Sequence, residues 1–100
     1  MASDNYYPIK NMTPSNVYRI YTEKKNKRAI LDLVGQEFES FTVQATSGYY
    51  RGHSEKSIVI EIVGASARAI KRIAEQIRKM NGQKSVLVLK LNARSQVKRG

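Results

Sequence analysis

The segment formed by residues 48–52 reads Gly-Tyr-Tyr-Arg-Gly and places two aromatic rings and a guanidinium between two glycines. Tyrosine rings stack on nucleobases, and an arginine fork binds phosphate oxygens. The glycines allow the backbone to approach a ligand closely. The segment therefore predicts a nucleotide contact in which Tyr49 and Tyr50 stack on the base and Arg51 holds phosphate. A second interpretation stays open, since hairpin tyrosines also pack across strands or against a neighbouring subunit.

Three further basic residues are candidates for lining a cleft around the same ligand. Arg19 and Glu61 lie in segments that we expect to be adjacent strands, so they can pair on one sheet face. Such an ion pair is either structural or part of a site for a polar ligand. Lys90 and Arg94 follow near the C-terminus, and we expect them to line the cleft together with Arg19.

Catalysis and metal binding have little support in the composition. The chain has no cysteine and a single histidine, His53, which argues against thiol nucleophiles, disulfides and His-rich or thiolate metal sites. Asp32 and Glu37 lie on a predicted helix, and no nucleophile, base and orienting group are spaced for joint action. We expect a binding protein that is not an enzyme and that needs no cofactor or metal.

The net charge of +10 is concentrated in the C-terminal third of the chain. Residues 65–100 contain ten Lys or Arg and one acid, so they carry nine of the ten net charges. Such a surface attracts phosphate-bearing partners, but a solvated helix face and a solubilising tail would look the same. A nucleic-acid-binding module is therefore the alternative to a binder of small anions, although the paired exposed rings of RNA-recognition strands are missing.

Hydrophobic periodicity predicts four strands and two helices. Alternating apolar residues, or β-branched and aromatic ones, mark strands at 16–22, 41–46, 57–63 and 85–91. The first helix has apolar residues at four-residue steps from Ile30 to Phe38, after the possible N-cap Asn26. The second runs between the N-cap Ser66 and the stop signal Gly82.

The element order βαββαβ is ferredoxin-like, with an antiparallel four-stranded sheet and both helices on one face. The usual strand order is 4-1-3-2. We expect a domain at 16–92, an N-terminal arm at 1–15 and a basic tail at 93–100. The residues expected to face the helices are Tyr18 and Ile20 with alternate residues of 41–45, 58–62 and 87–91.

The sheet face opposite the helices is predicted to be apolar. We expect it to carry Val17, Tyr21, Val59, Val63, Val86 and Val88, with Lys90 among them. A sheet covered on one side normally alternates apolar and polar residues, so a contiguous apolar surface implies a partner, most simply further copies of the chain. Another protein, or the N-terminal arm with Tyr6 and Tyr7, would be the other possible cover.

The segment GYYRGHSEKSIVIEIV resembles the corresponding element of the PII and CutA proteins, which are small ferredoxin-like trimers, and the resemblance covers about residues 16–92. It implies a homo-oligomer, a trimer or a multiple of one, with a pocket between subunits. In the PII family a nucleotide occupies that cleft beside a long loop joining strands two and three, whereas this chain has a short hairpin there. CutA proteins have been associated with metals, and the supporting Cys and His residues are absent.

More narrowly, the segments VYRIYTE, GYYRG, EKS and VIEIV resemble short proteins encoded by phages and prophages. Small oligomers of that kind can sequester nucleotide immune signals without cleaving them. We therefore predict a non-enzymatic, oligomeric binder of a small anionic ligand, a nucleotide in the first place. We also expect a cytoplasmic protein without membrane contact, since no apolar run is long enough to span a bilayer and the start MASDNYYPIK lacks a secretory pattern.

Overall fold

The computed structural model describes residues 13–96, which form six elements in the predicted order βαββαβ. These are β1 (Thr13–Glu23), α1 (Lys27–Glu37), β2 (Thr42–Tyr50), β3 (His53–Val63), α2 (Ala67–Asn81) and β4 (Leu87–Ser95). All strand pairs are antiparallel, and the order across the sheet is β2-β3-β1-β4. The ferredoxin-like prediction is confirmed. Neither helix in this part of the chain has the length and hydropathy needed to cross a membrane.

The core lies between the sheet and the two helices and consists mainly of isoleucine. Its eight isoleucines are at most 2% exposed: Ile20, Ile30, Ile58, Ile60, Ile62, Ile70, Ile73 and Ile77. Full burial of such a side chain contributes about 1.5–3 kcal/mol. Phe41 and Val43 of the β2 side pack against this cluster, so the inward faces predicted for the first three strands are confirmed.

Strand β4 faces the opposite way from the prediction. Val88 pairs with Ile20, and both Val86 and Val88 pack against the core. Consequently Leu87 and Leu89 lie on the open face, where they are 55% and 39% exposed. The strand starts with apolar residues on both faces, Val86 and Val88 on one and Leu87 and Leu89 on the other. The alternation therefore does not show which face is buried. The register with β1 makes that choice.

The sheet continues beyond the core at two opposite ends. β1 begins at Thr13, inside the segment assigned to the arm, and pairs with β4 as far as Ser95, inside the segment assigned to the tail. At the other end, the β2–β3 hairpin continues past Ile58 to the pair Tyr50–His53. These ribbons give the molecule dimensions of 54 × 33 × 23 Å. The rest of the arm, with Tyr6 and Tyr7, and residues 97–100 lie outside the described residues.

Both predicted ends of α2 are confirmed. Ser66 accepts a hydrogen bond from the backbone N–H of Ala69, and Gly82 ends the helix in the left-handed region at φ 62°. At α1, Asn26 occupies the N-cap position but its side chain makes no capping hydrogen bond. Its Nδ2 instead donates to Asn81 Oδ1 at 3.1 Å, which ties the start of α1 to the end of α2.

A buried polar network surrounds Asn81 at this junction. Asn81 Nδ2 donates to Gln83 Oε1 at 2.9 Å and to Thr22 Oγ1 at 3.3 Å, and the Thr22 hydroxyl donates to Gln83 Oε1 at 2.5 Å. Thr22 and Asn81 are buried. Among the described residues no buried side-chain polar atom lacks a partner. The network therefore fixes both helices against the end of β1 without an unsatisfied group.

Replacing Asn81 by alanine removes the amide on which this network converges. Thr22 and Asn26 then lose partners, and we expect the free energy of unfolding to fall by about 1–3 kcal/mol. Urea denaturation at a fixed protein concentration measures the change. Asn92→Ala, at an exposed position on β4, is the matched control and should change the midpoint little. Equal midpoints for the two variants would contradict the structural role of the network.

Candidate ligand-binding site

The open face of the sheet combines an apolar surface with a central ion pair. Its apolar residues are Val17, Tyr21, Val59, Val63, Leu87, Leu89 and Leu91, as the pairing registers place them. Arg19 and Glu61 are directly opposite each other on β1 and β3. Leu89 flanks Arg19 on the β4 side. The predicted apolar open face is thus present, with leucines of β4 in place of Val86 and Val88.

The pair predicted between Arg19 and Glu61 is formed. Arg19 Nε donates to Glu61 Oε2 at 2.7 Å, and the two side chains are 39% and 35% exposed. This hydrogen bond, followed by the charge of Glu61, raises the pKa of Arg19 above its ordinary value. Tyr21, the neighbouring open-face residue on β1, also raises the pKa of Arg19 through a side-chain hydrogen bond, so the guanidinium is held from two sides.

A shallow pocket of about 270 Å³ lies beside this pair, and we refer to it as the open-face pocket. It is lined by Arg19, Tyr21, Thr42, Gln44, Thr46, Val59 and Glu61. Hydroxyl, amide, guanidinium and carboxylate groups here offer both donors and acceptors. The pocket is therefore suited to a small polar ligand, although it is too open to enclose one by itself.

The β2–β3 hairpin exposes the aromatic residues that the sequence singled out. Tyr49 and Tyr50 are 77% and 66% exposed, and the Arg51 guanidinium lies over the Tyr50 ring, 5.3 Å from its centroid. Side chains of successive strand residues point to opposite faces. Tyr50 therefore lies on the open-face side, with Thr46 and Thr42, and Tyr49 lies on the other side. The two rings therefore point in opposite directions, and a single subunit does not place both against one base.

The turn that carries Arg51 is strained. Arg51 and Gly52 have φ angles of 49° and 81°, and positive φ at both central positions is the pattern of a type I′ hairpin, which favours Asn-Gly. A residue other than Gly, Asn or Asp is disfavoured in this left-handed region by roughly 1–2 kcal/mol. An arginine here is thus a poor choice for the turn alone.

We expect Arg51→Asn to stabilise the hairpin by roughly 1 kcal/mol while it removes the guanidinium. Thermal unfolding should show a higher Tm for the variant, and the Tyr50 ring should lose its cationic neighbour. Arg51→Val, a β-branched residue in the same backbone conformation, should lower the Tm. An unchanged or lower Tm for Arg51→Asn would show that the guanidinium contributes more to the fold than the turn geometry implies.

The hairpin tip and the Arg19–Glu61 pair are far apart in one chain. Eight residue steps along β3 separate His53, opposite Tyr50, from Glu61, which corresponds to about 26 Å at roughly 3.3 Å per residue. A nucleotide cannot contact both within one subunit. The two sets come together only if the tip of one subunit reaches the open face of another.

Lys90 and Arg94 are not brought together with Arg19. Lys90 pairs with Tyr18, and Arg94 pairs with Pro14, so both basic side chains lie on the helix side of the sheet. Arg19 lies on the open side. The predicted cleft of these three residues does not form within one chain, for the same reason that β4 was assigned the wrong face. Arg94 instead lines a small hollow with Pro14 and Asn92.

Sequence reasoning did not assign Thr42, Gln44 and Thr46 to the site. Their signal was present, since they alternate with the inward residues Phe41, Val43 and Ala45 and thus mark a polar face of β2. What the sequence did not contain was the register that places this polar face beside Glu61 and Val59.

Comparisons with solved structures place this fold among the PII-like proteins. CPII, a nitrogen regulatory PII-like protein from Thiomonas intermedia K12 bound to ADP, AMP and bicarbonate, matches with a TM-score of 0.64 at 15% identity, covering 89% of this chain and 100% of CPII. The GlnK–ATP complex of B. subtilis matches at 0.57 and 17% identity, covering 80% and 84%. No protein-family model matches the sequence, and neither does a curated protein.

A third solved structure differs from these signalling proteins in kind. A phage SAM lyase in complex with S-methyl-5′-thioadenosine matches with a TM-score of 0.59 at 16% identity, covering 81% of this chain and 90% of the lyase. Identities this low establish the shared fold alone. The chain therefore has a PII-like ferredoxin fold, as the resemblance of its hairpin and third strand implied.

Proposed function

We propose that the protein is an oligomer that binds an adenine nucleotide between subunits without converting it. The observation that supports this most is the Tyr50–Arg51 pair at the end of the hairpin ribbon, where Tyr50 is 66% exposed and the Arg51 guanidinium lies over its ring. The pair combines a stacking surface with a phosphate-binding group. In an oligomer, the ribbon would lie over the open-face pocket of a neighbouring subunit.

Assembly is supported by the open face itself. Leu87, Leu89 and Val63 are exposed on the same face as the Arg19–Glu61 pair. A contiguous apolar surface of this kind is typical of a subunit interface. The two ribbons give a second argument, because an isolated two-stranded hairpin is marginal in water and gains stability from packing on a neighbour.

The ligand class is supported by what the structurally similar proteins bind. CPII is bound to ADP and AMP, GlnK to ATP, and the phage lyase to S-methyl-5′-thioadenosine. These four ligands share an adenosine moiety. The net charge of +10 favours anionic members of this class over neutral ones, so we place an adenine nucleotide first.

Sequestration is the form of activity that the site residues favour. In the open-face pocket, the Glu61 carboxylate is held by Arg19, and the hairpin segment 48–52 contributes rings and a guanidinium but no acid. Stacking and phosphate contacts hold a nucleotide without supplying a nucleophile or a base. Such a protein would lower the free concentration of a nucleotide signal, as a phage-encoded sponge does.

A second candidate is cleavage of S-adenosylmethionine with release of S-methyl-5′-thioadenosine. It is favoured by one specific observation, the similarity to the phage SAM lyase over 90% of that protein. In this alternative, Glu61 on the open face would hold the cationic part of the substrate. Chromatography of S-adenosylmethionine incubated with the protein tests it, with Glu61→Gln as the matched variant. Release of S-methyl-5′-thioadenosine by the wild type and not by Glu61→Gln would replace our proposal by this one.

A thermal-shift panel tests the binding proposal. It contains AMP, ADP, ATP, S-methyl-5′-thioadenosine and cyclic dinucleotides, with single-stranded and duplex oligonucleotides beside them. We expect stabilisation by at least one small adenine ligand, since a ligand that binds only the folded state adds about 2.7 kcal/mol at a hundredfold excess over Kd. Stabilisation by the oligonucleotides alone would overturn the proposal in favour of a nucleic-acid-binding module.

The same panel at two salt concentrations separates the two kinds of binding. A protein that follows a phosphate backbone releases many counterions and loses about 10³–10⁵ in affinity between 50 and 200 mM salt. A nucleotide in a pocket loses far less. Retention of the nucleotide shift at the higher salt concentration is therefore the expected result.

A further inference from the structure

A larger groove lies on the other side of the sheet, between α2 and the edge strand β4. Its volume is about 600 Å³, and we refer to it as the α2–β4 groove. Its floor is apolar and consists of Tyr18, Ile70, Ala74, Val86 and Val88. Its rim is charged and carries Arg68, Lys71, Arg72, Glu75 and Arg78. The groove is separate from the open-face pocket, because it lies on the helix side of the sheet.

The groove exists because the helix layer leaves β4 partly uncovered. Ile70 and Ala74 of α2 are buried, but Val86 and Val88 on β4 remain only partly buried. Within residues 13–96, β4 is also the last strand of the sheet, paired with β1 on one side only. Its outer edge therefore presents backbone N–H and C=O groups that can pair with an added strand.

Two of the four basic residues on the rim, Arg72 and Arg78, form ion pairs within the chain. Arg72 pairs with Glu37 of α1, and Arg78 donates to both carboxylate oxygens of Glu75 at 2.9 and 2.7 Å. The hydrogen bond from Arg78 lowers the pKa of Glu75, so that carboxylate stays charged and committed to its partner. The two guanidiniums are thus neutralised within the chain.

The other two basic residues on the rim are Arg68 and Lys71. Arg68 and Lys71 make no ion pair with any residue in the range 13–96. Both are exposed, and they line the groove near the first turns of α2. Lys90 follows Val88 on the same face of β4. The groove therefore has an apolar floor and free positive charge toward one end.

We propose that the α2–β4 groove binds an extended, acidic segment of a partner protein, which adds a strand to the free edge of β4. Backbone groups of the segment pair with β4, and alternate apolar side chains cover Val86 and Val88. Carboxylates of the segment pair with Arg68 and Lys71 where the groove is basic. This surface is independent of the proposed nucleotide site.

The chemistry of the groove selects this occupant over the others. A single-stranded nucleic acid stacks its bases on exposed rings, and the one ring lining this groove, Tyr18, is buried in the core. A second copy paired through the same groove offers the rim only Glu75 as an acid, and that carboxylate is already held by Arg78. Residues 1–12 of the chain contain one acid and one base and so have no charge complementarity to the rim.

The test uses a short, end-blocked fluorescent peptide in which serine alternates with two valines and then with two glutamates, so that valines and glutamates share one strand face. Fluorescence anisotropy is the readout. We expect the peptide to bind the full-length protein, and the same peptide with lysine in place of glutamate not to bind. Lys71→Glu should weaken the binding at least tenfold. Lys27→Glu, which makes the same change of charge at an exposed position of α1, should leave it unchanged. Bound peptide should also slow hydrogen exchange of the outward amides of β4.

Three results would overturn the proposal. Failure of the peptide to bind, with oligonucleotide binding that Lys71→Glu abolishes, would assign the rim to nucleic acid. Binding only after removal of residues 1–12 would identify that segment as the native occupant. A lower oligomer mass for Lys71→Glu would show that the groove is covered by a second copy.

Discussion

Replacing Leu87 by glutamate should turn the proposed oligomer into a monomer that keeps its fold. Leu87 is 55% exposed on the open face, opposite Tyr21 of β1, so the substitution costs little within one chain. In an interface it buries an unpaired carboxylate, which costs about 3 kcal/mol or more. That corresponds to a weakening of assembly by roughly a hundredfold or more per interface. Light scattering over a concentration series measures the mass.

Met80→Glu is the matched control for this variant. Met80 is also an exposed apolar residue, but it lies on α2 in the helix layer. The control should assemble as the wild type does, and circular dichroism should show that both variants are folded. Unchanged mass for Leu87→Glu would mean that the open face is not the interface, and the argument for a site between subunits would fail with it.

Replacing Tyr50 or Arg51 by alanine should weaken the proposed nucleotide binding without changing the mass of the proposed oligomer. In the proposed site, Tyr50 would supply the stacking ring, and Arg51, 5.3 Å from that ring, the phosphate contact. Loss of base stacking costs about 1–3 kcal/mol and loss of a charge-assisted hydrogen bond about as much. Each variant should therefore bind at least about tenfold more weakly. Isothermal titration with the nucleotide that gives the largest thermal shift measures this loss.

Tyr49→Ala provides the control within the same hairpin. Tyr49 is as exposed as its neighbour, but its ring lies on the opposite side of the ribbon. We expect Tyr49→Ala to bind nucleotide nearly as the wild type does. Loss of assembly in Tyr50→Ala would instead assign that ring to the subunit interface.

The fold could be predicted because its local signals agree. The alternation Ile58, Ile60, Ile62 marks one face of β3, and Ile70, Ile73 and Ile77 recur at helical spacing, so both periods identify the core. Turn and cap residues divided the chain at the right places. With two crossover helices and a hairpin in the middle, few topologies remained.

The facing of β4 and the two ribbons could not be predicted. In β4, valines alternate with leucines, so no alternation of apolar and polar residues indicates which face is buried. At the ribbons, the paired residues Ser15 and Ser95 are polar, and their hydroxyls bond at 2.5 Å without any hydrophobic period. Pairing in such segments depends on backbone geometry more than on side-chain pattern.

The residues of the candidate site could be predicted from the sequence, but their relative positions could not. Rings and a guanidinium between glycines identified the hairpin tip, and cross-strand position identified the Arg19–Glu61 pair. Their separation of about 26 Å follows only from the observed register. The α2–β4 groove was missed, because it depends on Val86 and Val88 facing the helix layer.

The molecular mass of the purified chain in dilute solution tests the central claim most directly. Sedimentation velocity, with and without the nucleotide that stabilises the protein, separates a single 11.4 kDa chain from its multiples. We predict a multiple of 11.4 kDa in both conditions, tightened by the nucleotide because it contacts two subunits. A sole species at 11.4 kDa that still binds nucleotide would contradict a site shared between subunits.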